Sequence, residues 1–186
     1  MNRNSITGIV TSALFAALIC IFAPMSVPIG PIPVSLTNLV LYFAIFIIGT
    51  KGTVIAYCVY MLLGIVGLPV FSGFQGGIGK VAGPTGGYLI GFIPMVIVMG
   101  IAYEKFAKKK GIVASVCITI AGMIIGTIVA YALGTVWFVF QMDCTWAYAL
   151  EVCVLPFIGF DIAKMVIANV AGRAVRKALL SRNLIQ

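Results

Sequence analysis

Two opposite charges stand three residues apart in an otherwise apolar run, Asp161 and Lys164 in FIGFDIAKMVIANVA. Residues at i and i+3 share one face of a helix. Counted from Val152, where that run begins, Asp161 lies about 15 Å along the helix axis, near the middle of a bilayer. An unpaired charge at that depth costs about 2.5–3.5 kcal/mol on insertion scales. Two readings follow. The residues form a purely structural ion pair, or they face a cavity and offer a ligand one carboxylate acceptor and one ammonium donor. Pro156 and Gly159, just ahead of the pair, are placed to bend the helix and open such a cavity.

A few other polar side chains accompany this pair. Thr37 and Asn38 stand at the start of an apolar segment, where the asparagine either caps a helix or bridges to another. Gln75 and Lys80 decorate a glycine-rich stretch, and Tyr88, Phe71, Phe74 and Phe92 supply aromatic surface nearby. Apolar walls with a few convergent polar groups suit a small amphipathic organic ligand. Catalysis is not indicated: histidine is absent and the chain has four acidic residues, so neither a carboxylate dyad nor a Ser-His arrangement can be assembled. Gly79–Lys80 looks like the end of a phosphate-binding loop, but Phe74 stands where glycine is required and Val81 where Ser or Thr is required. Gly77-x-Gly79-x-x-Ala82 lacks the strand and helix context of a dinucleotide fingerprint. The five cysteines are scattered and form no metal-ligand spacing; Cys144 and Cys153 fall close enough that a disulfide is open.

The elements that must position these residues are membrane helices. Of 186 residues 62% are hydrophobic and only 9% charged, with a mean hydropathy of +1.20. A water-soluble domain carries about 25% charged residues. One polytopic all-α membrane domain with six spans is expected, at 5–23, 35–50, 53–68, 87–103, 112–140 and 148–171, with a glycine-rich loop at 67–86. The first run has one basic residue and no small-x-small cleavage site, so it reads as a retained helix. Pro24, Pro28, Pro31 and Pro33 break the chain after it. With the N-terminus inside, Arg3, Lys51, Lys105, Lys108, Lys109, Lys110, Arg173, Arg176, Lys177 and Arg182 all fall on the cytoplasmic side, against Lys80 alone outside. Both termini are thus expected in the cytoplasm. The same bias accounts for the net charge of +8, and no nucleic-acid partner is needed.

Gly64–Phe92 reads GIVGLPVFSGFQGGIGKVAGPTGGYLIGF, with nine glycines among the 24 residues from Gly64 to Gly87. It is either a loose hairpin or a shaped lid whose backbone approaches a ligand, with Gly76 and Gly86 at the closest points and Pro69 and Pro84 stiffening its turns. Gly122, Gly126, Ala130 and Gly134 make a small-xxx-small row, and Ala13 and Ala17 an AxxxA ridge beside Ser12 and Ala16. Such rows serve internal helix packing or docking of another membrane protein.

The glycine block GLPVFSGFQGG…GPTGGYLIGF, followed about 70 residues later by FIGFDIAK, resembles the BioY family, biotin-specific substrate-binding (S) components of energy-coupling factor (ECF) vitamin transporters. The resemblance extends to the proline-rich PIGPIPVSLTN and covers essentially the whole chain. It implies an S-component bundle with biotin as the transported ligand and no cofactor. A separate transmembrane coupling subunit and ATP-binding subunits would energise uptake. Asp161 and Lys164 match the family's D-x-x-K and would meet the ligand, with Thr37, Asn38, Gln75, Tyr88, Gly76 and Gly86 around it. Ala13 and Ala17 match the ridge that docks the coupling subunit. Leu89 stands where some relatives carry arginine, which leaves Lys80 and Lys164 as the candidates for the biotin carboxylate. Another vitamin, such as riboflavin or thiamine, and a non-transport assembly factor are the competing readings.

Overall fold

The computed structural model describes residues 3–29 and 32–182; Pro31, one of the four expected helix-breaking prolines, lies outside them. Helix α1 (Arg3–Phe22) stops just ahead of Pro24, as the constraint on residues before proline requires. The proline-rich segment that follows is a β-hairpin, β1 (Ser26–Ile29) against β2 (Ile32–Ser35), with Pro28 opposite Pro33. A two-stranded ribbon has no central strand, so these prolines leave no ladder donor missing.

Helix α2 (Thr37–Val66) is long but not straight. Gly49 sits at φ 70° and ψ −178°, outside helical space, and turns the chain there. Thr37 and Tyr60 line one cavity, although a straight helix would hold them about 35 Å apart. The second half therefore folds back beside the first. The break falls at Gly49 and not at Lys51–Gly52, because the freed N–H of Thr50 donates to Glu104 Oε1 at 2.8 Å. Gly67, at φ 113°, closes the helix with its N–H on the carbonyls of Leu63 and Gly64.

The short α3 (Ile78–Ala82) lies within the glycine-rich segment. Helix α4 (Gly86–Ile101) continues through a wide π turn, Ala102–Ala107, past Tyr103 where the fourth span was expected to stop. Helix α5 (Ile112–Met142) packs along α4 through the small-residue row. A Cβ at Gly126 would meet the Met95 carbonyl, one at Gly122 the Ala102 methyl, and one at Gly134 the Tyr88 ring. That row is an internal packing seam.

The expected sixth span, 148–171, is two helices. α6 (Trp146–Cys153) ends at Val154, and α7 (Leu155–Ser181) starts with Pro156 in its first turn, where a missing N–H costs nothing. Asp161 is consequently only about 9 Å along α7 from its start. α7 also runs ten residues beyond Ala171, because the basic tail is helical. Its Arg173 ties the far end of the bundle. The guanidinium bonds Asn169 Oδ1 (2.7 Å), Ser115 Oγ and carbonyl (2.9 Å each) and Thr119 Oγ1 (2.8 Å). It also lies over the rings of Phe46 and Tyr103, 5.5 and 5.9 Å from their centroids.

α2, α4 with its π turn (Gly86–Ala107) and α5 are long and apolar enough to cross a membrane, and Ile6–Phe22 is a shorter apolar helix. Cys144 and Cys153 carry free thiols. On α1, Ser12 and Ala16 are buried in the bundle while Ala13 and Ala17 face outward.

Candidate functional site

Asp161 and Lys164 project from the first turns of α7 into the space between α2, α4 and α5. Both are at most 7% exposed, yet every hydrogen-bonding position of the ammonium is used. Lys164 Nζ donates to the Ser35 carbonyl (2.8 Å), Asn38 Oδ1 (3.0 Å) and Asp161 Oδ1 (3.0 Å). Three donors meet three acceptors. The carboxylate is held from three sides, by Lys164, by Asn38 Nδ2 at 2.8 Å and by the Tyr131 hydroxyl, which donates to Oδ2 at 2.6 Å. Asn38 is thus a bridge between helices; its Oδ1 also accepts from the Leu39 N–H at 3.1 Å. This closes a buried network across α2, α5 and α7, in which no charge is left without a partner.

The network forms one wall of a cavity of about 710 Å³, counted out to its open mouth. Tyr60, Leu89, Phe92, Met95 and Phe157 give it apolar surface, and Ser35, Thr37, Thr85, Tyr88 and Thr127 give it polar points. Thr37 Oγ1 accepts from the Ser35 hydroxyl at 3.0 Å. The Tyr88 hydroxyl donates to the Cys153 carbonyl at 3.2 Å and pairs with Thr135 Oγ1 at 3.1 Å, so Tyr88 fastens α4 to α5 and α6 while its ring faces the cavity.

The glycine-rich segment lies over this end of the bundle and is ordered by its own backbone. Phe71 and Gln75 pair through N–H to carbonyl bonds of 2.8 and 3.3 Å, Gly73 N–H reaches the Pro24 carbonyl, and Gly77 N–H reaches that of Gly64. Phe71 is fully buried against Tyr60, with Gly64 leaving room for its ring.

The structure therefore brings Asp161, Lys164, Asn38, Thr37 and Tyr88 together, but not the rest of the expected set. Gln75 and Gly76 line a separate groove beside Lys80, on the far side of Thr85. Gly76 and Gly86 do not border the cavity: a Cβ at either would strike backbone carbonyls of the segment itself, those of Leu68 and Val81. Their missing side chains let the loop pack on itself. Phe74 is 68% exposed and Phe71 is walled off, which leaves Tyr88 and Phe92 as aromatic walls. Sequence reasoning missed Tyr131, whose signal was available: it stands one position round from the Gly122–Gly134 packing row, a polar-tipped ring aimed beside the α4 seam. It also missed the Ser35 carbonyl, which no side-chain pattern could reveal.

The sequence profile of the BioY family matches residues 1–181. The chain belongs to the BioY family. It is 36% identical over 174 residues to Biotin transporter BioY of Thermotoga maritima, covering 94% of this chain and 98% of that one. It is 30% identical over 185 residues to Biotin transporter BioY2 of Lactococcus lactis subsp. cremoris, covering 98% and 97%. The fold matches the crystal structure of the S-component for biotin from an ECF-type ABC transporter with a TM-score of 0.81, at 29% identity and 95% coverage of both chains. The BioY resemblance and the S-component fold expected from the glycine block and the D-x-x-K are thereby met.

Proposed function

We propose that this BioY chain is the biotin-binding S component of an ECF-type transporter and receives biotin in the cavity beside Asp161 and Lys164. The observation that carries this reading is the closed Asn38–Asp161–Lys164–Tyr131 network at the wall of an apolar cavity. Biotin's bicyclic head presents two ureido N–H donors and one carbonyl acceptor on an apolar frame. Asp161 and Asn38 supply acceptors, Tyr131 and Lys164 supply donors, and Leu89, Phe92 and Met95 take the frame. A ligand entering here exchanges one set of charge-assisted hydrogen bonds for another, so the buried charges remain paired in both states.

In this reading residues 1–186 are one polytopic domain of six crossings in a bacterial plasma membrane. The ten-to-one distribution of Lys and Arg supports cytoplasmic termini. The cavity, the β-hairpin and the glycine-rich lid then share the outer face, where free biotin arrives. The protein is a transporter component and not an enzyme, and the energy for uptake comes from a separate transmembrane coupling subunit with its ATP-binding subunits. The outward-facing ridge of Ala13 and Ala17 on α1 is the surface offered to the coupling subunit, since small residues permit close helix approach.

Mass spectrometry of ligand released from the purified protein tests the assignment. Biotin is the expected species. Recovery of riboflavin or thiamine in its place would move the assignment to another vitamin.

A further inference from the structure

The ligand assigned above has a charged end that the Asp161 network does not serve. Lys164 is bonded to Ser35, Asn38 and Asp161 and belongs to the wall that the reading above gives to the polar head, which leaves the carboxylate at the other end to a different cation. The side chains that α4 directs into the cavity, Tyr88, Leu89, Phe92 and Met95, carry no positive charge. Among the described residues bordering the glycine-rich segment, the cation that remains is Lys80.

Lys80 lies in an open groove formed with Gln75, Gly76, Gly79, Gly83, Pro84 and Thr85. Among the described residues its ammonium has no hydrogen bond and no salt bridge. Partial burial without a counter-charge lowers its pKa below the ordinary lysine value. Thr85 is the second observation. It is 8% exposed, its hydroxyl has no hydrogen-bond partner, and it borders both the cavity of Asp161 and the groove of Lys80. A buried hydroxyl with no partner is destabilising unless something meets it. Its position at the junction of the two spaces is where an extended ligand must pass from one to the other. Thr85 is also the residue from which the sixteen-residue α4 departs, so the positive end of that helix points the same way.

We propose that Lys80 and Thr85 form an anion subsite that holds the carboxylate of the ligand, while Asp161 and Lys164 hold its polar head. Lys80 pairs with the carboxylate, Thr85 donates its hydroxyl, and the Gln75 amide is within the same groove. The glycine-rich segment is then a lid that contributes a charge to the ligand. This subsite rests on the biotin reading, and the test separates the two.

The full chain in lipid nanodiscs is titrated with biotin and with biotin methyl ester, for wild type, Lys80→Met, Lys80→Arg and Thr85→Val. Lys80→Met is expected to weaken biotin about 10- to 100-fold, the value of a charge-assisted hydrogen bond. The same variant should leave the ester within about threefold of wild type, because the ester offers no charge. Lys80→Arg should retain most of the biotin affinity, and Thr85→Val should fall between. Equal binding of biotin by wild type and Lys80→Met overturns the subsite and leaves the biotin reading standing. Parallel loss of biotin and ester in Lys80→Met also overturns it, by showing that the lysine shapes the lid. Failure of wild type to bind either compound overturns the biotin reading itself.

Discussion

Converting Asp161 to asparagine removes one charge and almost no volume, and its consequence can be worked from the contacts. The new amide keeps an oxygen for the Tyr131 hydroxyl or for Asn38, but it no longer balances Lys164, a residue only 7% exposed. Breaking a buried pair in this way costs about 3–5 kcal/mol, because it leaves the remaining charge uncompensated. For a chain of 186 residues each kcal/mol is worth about 2–4 °C in Tm, so Asp161→Asn should melt about 6–20 °C below wild type. The double variant Asp161→Asn/Lys164→Met removes both charges and should regain at least about half of that loss, a coupling of about 2 kcal/mol or more. Biotin binding should be lost in the single and the double variant alike, since neither keeps the carboxylate. The assays are fluorescence-detected melting of detergent-solubilised protein and calorimetric titration of biotin. A single variant that melts within 2 °C of wild type, or a double variant that melts lower than the single, would refute the claim that the pair is buried and mutually required.

Tyr131→Phe deletes the 2.6 Å bond to Asp161 Oδ2 and nothing else. Titration should show biotin binding weakened about 10-fold, while an unchanged affinity would remove Tyr131 from the site. Gly86→Val drives a side chain into the Val81 carbonyl at the base of the lid. It should lower Tm and biotin affinity together, and a binding defect at wild-type Tm would return Gly86 to direct ligand contact. Ala13→Leu/Ala17→Leu lies on the outward face of α1. Purified protein should bind biotin as wild type does, whereas cells relying on it should lose most labelled-biotin uptake; full uptake would mean that the ridge docks nothing.

How much of this was legible beforehand follows from where each signal resides. Composition and the charge distribution point to membrane helices, because lipid excludes charge over lengths that a residue count can measure. Asp161 and Lys164 announce themselves for the same reason: they are expensive where they stand, so something must hold them. Asn38 is half legible, since the sequence allows a cap or a bridge and only the fold brings α7 within reach. The helix ends were harder. Gly49 breaks α2 because Glu104, 55 residues away, accepts the freed Thr50 N–H, and no local pattern contains that partner. Pro156 could have been read as a first-turn proline that starts α7, but the apolar run continues through it and masks the boundary. The glycines misled in a specific way. Gly76 and Gly86 are needed for close approach, but the approaching atoms belong to the loop's own backbone, and sequence alone does not say what lies opposite a glycine.

The central claim is that the buried Asn38–Asp161–Lys164–Tyr131 network receives biotin, and calorimetric titration of biotin into the full-length purified chain tests it most directly. Saturable binding at one site per chain is expected, abolished in Asp161→Asn and unaffected by excess riboflavin or thiamine. Absence of saturable binding below about millimolar, where association is worth only about 4 kcal/mol, would contradict it.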